Sequence, residues 1–176
     1  MKRRSRGRPK GAVGPVVVLS SEDEKSIARF LRSNGLDNER ANLAIITTIT
    51  LGLRATELAA LRFCDVFDRQ GRVLPALVLS TRGSRDERCL PLTAKELKSA
   101  LADHFERQSM FAPIDPEQPL FRSQRGGHLA PASMARYLTS IYREAGIRGA
   151  TSRSGRATKK AKLMMLDEAI PFLLRD

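Results

Sequence analysis

The sequence predicts a mostly α domain with one small β-hairpin, an α+β order of helices, hairpin, helices. Three observations point there. Apolar residues recur at helical spacing early and late in the chain, in segments closed by glycines. Between them the pattern turns β-type, with "RVLPALVLS" and "RCLPL" on either side of the turn "TRGSRDE". Hydrophobic residues make up 41% of the 176 residues, enough for one real core.

Residues 1–15, "MKRRSRGRPKGAVGP", read as a flexible basic tail without periodicity, and residues 16–176 as the domain. In the tail, "RGRPKG" is AT-hook-like: a Pro-stiffened Arg-Gly-Arg suits a narrow minor groove. "SSEDEKSIARFLRSNG" opens the first helix, with Ser21 and Glu24 as a capping box and Gly35 as the stop. "NERANLAIITTITLG" is a second, buried helix ending at Gly52. Thr56 is expected to cap a short third helix carrying Glu57, Leu58 and Leu61. After the hairpin, Thr93 is expected to cap "AKELKSALADHFERQ". A Pro-rich loop over 112–119 leads to an extended piece and a Gly-Gly turn in "PLFRSQRGGHLAP". Pro131 starts the helix "PASMARYLTSIYREAG", which Gly146 closes. Ser152 or Ser154 caps the last helical region, and Pro171 interrupts it.

Charge is the strongest functional signal. The net charge is +12, and six basic residues lie in the first ten positions. An excess on both tail and body argues for a polyanion. Aromatics are only 5%, too few to favour stacking on single strands, so duplex DNA is the expected partner. No apolar run suits a bilayer, and the basic start leads into Gly and Pro rather than a signal peptide. The expected location is the cytoplasm, on the nucleoid. Cys64 and Cys89 read as reduced core residues. His104 and His128 stand apart, His128 as a turn residue without a partner, so neither a metal site nor a cofactor is expected.

Three stretches, in order, resemble the catalytic domain of the tyrosine recombinase (phage integrase) family over residues 20–165. "TITLGLRATELAALRFCDV" is similar to the first box, where an Arg follows Gly-Leu at a helix end. "VLSTRGSRDERCLPLT" is similar to the family's hairpin ending in Arg-x-x-Pro-Leu. "YREAGIRGATSRSGRAT" is similar to the second box, where His-x-x-Arg opens a helix. The resemblance implies that Arg54 and Arg156 are the two phosphate-binding catalytic arginines. It puts Arg82 at the family's Lys position and Arg153 at its His position. Glu57 is expected to orient Arg54 or cap a helix. Elementary chemistry agrees: two guanidinium groups can clamp a phosphate bidentately and stabilise the charge of phosphoryl transfer without a metal.

The departures shape the functional expectation. Arg82 stays protonated and is a poor proton donor, and Arg153 replaces imidazole chemistry with charge. Only 20 residues follow Arg156, so the catalytic domain reads as incomplete before the box that carries the nucleophilic Tyr. Tyr137 and Tyr142 belong to the preceding helix and read as packing residues, so no nucleophile is assigned. The reading is a DNA-binding relative of recombinases and integrases that cannot cut alone. Alternatives are a recombinase component using a Tyr donated in trans, and a basic regulator or inactive remnant. Partners would be double-stranded DNA, an active tyrosine recombinase, or further copies of the chain. Arg4, Arg6, Arg8, Lys10, Lys159, Lys160 and Lys162 are expected DNA contacts, non-specific ones.

Overall fold

The computed structural model describes residues 16–33, 38–80 and 87–173. Among these residues six α-helices and one hairpin follow in the expected order. Helix α1 spans Ser21–Ser33, α2 Asn38–Leu51 and α3 Ala55–Ala60, followed by a 3₁₀ turn at Phe63–Asp65. Strands β1 (Ala76–Ser80) and β2 (Glu87–Pro91) form the hairpin. Helices α4 (Lys95–Ser109), α5 (Pro131–Glu144) and α6 (Ser154–Leu173) complete the fold. Among the described residues no helix is long and apolar enough to cross a membrane.

Helix α2 is the axis. It packs against α1, α4, α5 and α6, while α3 rests on α5. Its sequence explains this role. Leu43, Ala44, Ile45, Thr47 and Thr48 are all buried, so the helix is enclosed on several sides rather than amphipathic. The two threonines cause no unpaired polar group, because each hydroxyl donates back to a carbonyl of its own helix, Leu43 and Ile45. The core continues through Leu53, Leu58, Phe63, Leu77, Leu97, Leu101, Phe121, Met134 and Leu138. Burying each such side chain contributes about 1.5–3 kcal/mol.

The hairpin register pairs Leu77 with Leu90, Val78 with Cys89 and Leu79 with Arg88. Period-two alternation therefore gives one face to Leu77, Leu79, Leu90 and Arg88, and the outer face to Val78 and Cys89. Cys89 is thus exposed and Cys64 half-buried, not the core residues the sequence suggests; both are free thiols. The Cys64 thiol is raised by burial and donates toward Glu117.

Several caps differ from expectation. The reciprocal box at α1 joins Ser20 and Asp23: the Ser20 N–H donates to Asp23 Oδ2 (2.9 Å) and the Asp23 N–H to Ser20 Oγ (3.1 Å). Ser20 and Asp23 share the three-residue spacing of Ser21 and Glu24, so the frame slips by one. Gly35 lies outside the described residues. Helix α3 starts directly after Arg54, and its cap comes from Glu57, not Thr56. Helix α4 follows Ala94 without a side-chain cap, leaving Thr93 outside. Pro131 occupies the first turn of α5, as expected. Helix α6 continues past Pro171 to Leu173, two residues beyond the point where the sequence suggests an interruption.

Among the buried polar side chains of the described residues, one atom, Arg40 Nε, has no hydrogen-bond partner. His104, on α4, meets Glu39 Oε1 of α2 through Nδ1 (2.7 Å) and the Leu120 carbonyl through Nε2 (3.0 Å). Burial holds its imidazole below the usual value, against the pull of Glu39. His128 does have a partner: its Nδ1 lies 3.2 Å from the Ala59 carbonyl.

Candidate nucleic-acid interface

The first box is built where α2 stops. Gly52 takes φ +69°, a left-handed turn that L side chains rarely adopt. The chain then reverses through buried Leu53 and delivers exposed Arg54 to the start of α3. The Arg54 N–H donates to Glu57 Oε2 (2.7 Å), which satisfies an end of the helix. Glu57 Oε1 accepts from Arg88 Nη1 (2.9 Å), so β2 is tied to the same corner. Glu57 is therefore a cap and a brace, one of the roles expected of it.

The second box is built by close approach. A Cβ on Gly155 would sit 2.5 Å from Thr48 Oγ1 and 3.1 Å from the Tyr142 hydroxyl, so only glycine lets α6 lie this near α2. Ser154, the first residue of α6, accepts the Thr151 N–H (3.0 Å), and the Arg153 N–H points to Thr151 Oγ1 (3.3 Å). Ser154 thus ties the preceding turn to the start of α6, while the hydroxyl that accepts an N–H at this helix start is that of Thr151, not of the two serines expected to cap it. Thr158 Oγ1 accepts the Leu19 N–H (2.8 Å), which pins the segment before α1 to α6.

The two boxes meet. Gly52 lies under the aliphatic stems of Lys159 and Arg156: a Cβ there would be 2.9 Å from Lys159 Cδ and 3.8 Å from Arg156 Cγ. Lys159 Nζ donates to the Leu51 carbonyl (3.0 Å) at the C-terminal, negative end of α2. Burial and the nearby Arg88 lower the Lys159 ammonium. Arg54, Arg153, Arg156 and Lys160 then line one cavity of about 620 Å³. Its wall also includes Leu53, Pro131, Ala132, Ala135 and Ala157.

Not every expected contact joins this cavity. Lys162 Nζ donates to Glu24 (2.6 Å) and ties α6 to α1. Lys159 is half-buried as a structural tie. Arg82 and the tail residues Arg4, Arg6, Arg8 and Lys10 lie outside the described residues. Neither tyrosine lines the cavity. Tyr142 is 1% exposed, its hydroxyl bonded to Thr48 and the Gly155 backbone, and burial raises its phenol. Tyr137 lies under the Arg40 guanidinium, 5.2 Å from ring centroid, and burial raises it too. The tie from Arg88 to Glu57 escaped the sequence reading; the place of Arg88 on the leucine face of a strand was the available signal. Among the described residues no group of His, Cys, Asp and Glu could hold a metal ion.

The fold has known counterparts. Over 90 residues the chain is 36% identical to tyrosine recombinase XerC of Myxococcus xanthus, a match covering 49% of the chain and 28% of that protein. The crystal structure of XerA recombinase superposes with a TM-score of 0.67 at 21% identity, over 90% of this chain and 54% of that one. The Tn1549 transposon integrase, in complex with transposon right end DNA, gives 0.64 at 19% identity, over 88% and 55%. A lambda integrase dimer bound to a COC′ core site gives 0.58 at 15% identity, over 86% and 54%. No protein-family model matches. The XerC match thus spans little more than a quarter of that protein's length.

Proposed function

We propose that this chain, a relative of the tyrosine recombinases in sequence and in fold, binds duplex DNA and grips one backbone phosphate between Arg54 and Arg156. One observation carries the reading. Four cationic side chains from two segments about a hundred residues apart, Arg54 before α3 and Arg153, Arg156 and Lys160 at the start of α6, line a single cavity, and no carboxylate pairs with any of them among the described residues. Bringing like charges together unpaired is unfavourable unless an anion completes the site. Guanidinium pairs match the non-bridging oxygens of a phosphodiester, and Arg153 and Lys160 add charge at the rim. The lambda and Tn1549 integrases are seen on DNA, which fits the same use of this fold. The basic arm over residues 1–15 adds sequence-independent affinity, and the chain works on the nucleoid, in the cytoplasm, beside further copies of itself or an active recombinase.

The same geometry limits the chemistry. A phosphotyrosyl linkage needs a hydroxyl that can reach the phosphate, and both tyrosines of this sequence are engaged in packing away from the cavity. Arg153, where the family resemblance expects His, holds charge but moves no proton at neutral pH. The chain therefore binds without cutting by its own residues.

The test uses nicked duplex substrates that trap a covalent intermediate. Salt-sensitive binding with no denaturant-resistant protein–DNA band is expected from the chain alone. Such a band would overturn the non-cutting reading, and absence of binding at low salt would overturn the DNA reading. A band that arises only with an added active recombinase, and maps to that protein's Tyr, would identify a Tyr donated in trans.

A further inference from the structure

A second basic concavity, of about 390 Å³, is lined by Arg40, Arg122 and Arg125 together with Ser133 and Tyr137. Arg40 Nε is buried and has no hydrogen-bond partner. Its guanidinium lies over the Tyr137 ring, 5.2 Å from the centroid, a cation–π contact. Arg122 and Arg125 are exposed on the loop before α5, and none of the three arginines has an ion pair among the described residues. The nearest carboxylate in sequence, Glu39, is taken by His104 and Arg107.

Position relates this concavity to the first. Successive helical residues are rotated by about 100°. Pro131, Ala132 and Ala135, which line the Arg54 cavity, therefore share one side of α5. Ser133 and Tyr137, which line the second concavity, share the opposite side. A third concavity containing Arg136 and Arg143 lies between, sharing Ala135 and Ser152 with the first and Ser133 and Tyr137 with the second. The basic surface is thus continuous around α5. A helix with its side chains is about 10–12 Å across, close to the width of about 12 Å of the B-DNA major groove.

We infer that Arg40, Arg122 and Arg125 form a second phosphate site, which takes a backbone phosphate of the same duplex on the strand across the groove from the phosphate at Arg54 and Arg156. The inference rests on the DNA reading above. Here Arg40 is the inner member, against Tyr137, and the two loop arginines close on the phosphate from outside. The pair of sites fixes how the duplex lies on the protein, which one phosphate grip alone would leave free to pivot.

The experiment is a methylphosphonate scan: duplexes carrying one neutral linkage at each position in turn, with affinity read by anisotropy at fixed salt. Wild type is expected to weaken at two positions, one on each strand. The Arg122→Ala/Arg125→Ala variant alters only exposed loop residues and should keep the wild-type melting temperature. It should bind at least about tenfold more weakly, show a log–log salt slope shallower by about one, and lose sensitivity at one of the two positions only. The Arg54→Ala/Arg156→Ala variant should lose the other. A wild-type scan with a single sensitive position, or an Arg122/Arg125 variant that keeps both positions and the full slope, overturns the second site and leaves the first standing. Loss of the Arg122/Arg125 position with no effect of Arg54→Ala/Arg156→Ala would overturn the first site and keep the second. Wild type that binds no duplex overturns both.

Discussion

Two populations of cations share this surface. Arg62, Arg72, Arg88, Arg107 and Lys162 each face a carboxylate, from Glu117, Asp68, Glu57, Glu39 and Glu24 respectively. Arg54, Arg153, Arg156 and Lys160 face a cavity and one another. The residue types are the same; the surroundings differ. Where a cation braces two segments, the fold supplies its counter-ion. Around α5 no ion pair forms among the described residues, although Glu144 ends that helix near Tyr137, so the cations there outnumber the anions. The contrast extends inward. On the inner side of α6, Tyr142, Thr48 and Gly155 form a buried, closely packed joint. A packed scaffold thus presents an unsatisfied rim, the arrangement expected when the missing partner is a ligand.

Substitutions can break this contrast from either side. The largest stability loss is expected from the joint. Gly155→Val would force a side chain into Thr48 and Tyr142 and should destabilise the domain by about 3 kcal/mol in urea denaturation. A stable Gly155→Val protein would mean that α6 does not lie against α2 as described. At the rim the pattern should invert. Arg156→Ala should leave stability within about 0.5 kcal/mol of wild type, while DNA affinity drops tenfold or more. Arg72→Ala, which removes a paired cation, should leave affinity within about twofold; equal losses for the two would erase the distinction between the populations.

Smaller effects probe the braces. Glu57→Ala removes the acceptor of the Arg54 N–H and the counter-ion of Arg88, and should cost about 1 kcal/mol of stability. If Glu57→Ala denatures at the wild-type midpoint, the brace has no energetic weight. The His104 prediction is one of sign. Its imidazole sits below the ordinary value when folded, so the unfolded chain takes up the proton first. Its contribution to stability is complete above about pH 6.5 and declines as pH falls below that value. Urea midpoints at pH 7.5 and 5.5 should differ, and the difference should shrink in His104→Gln. An unchanged pH dependence in that variant would assign the effect to other groups.

The helices, the hairpin and both glycine stops at Gly52 and Gly146 were legible in the sequence, because apolar period and glycine placement are local signals. Caps were less so. Ser20–Asp23 and Ser21–Glu24 carry the same spacing, and only the packed structure chooses between them. The site was legible in part: Arg54 and Arg156 stand in recognisable local contexts, yet nothing local says that two residues about a hundred positions apart share a cavity. What escaped was the set of ties that depend on tertiary contact. Arg88 opens the hairpin's Arg-x-x-Pro-Leu but gains a role only when the strand register places it opposite Leu79 and its guanidinium reaches Glu57. Lys159 reads as one more basic contact until Gly52 lets its stem lie down and its ammonium reach the Leu51 carbonyl. Lys162 reads the same way until Glu24 meets it across the helices.

The shared cavity of Arg54 and Arg156 is tested most directly by a double-mutant cycle, with Arg54→Ala and Arg156→Ala alone and together and duplex affinity read at fixed salt. Two groups holding one phosphate are coupled, so the double variant should differ from the sum of the singles by clearly more than about 0.5 kcal/mol. Arg72→Ala combined with Arg156→Ala serves as the control and should be additive. Additivity within about 0.5 kcal/mol for Arg54 and Arg156, with every variant folded, would mean that the two arginines act as independent surface charges and do not form one phosphate site.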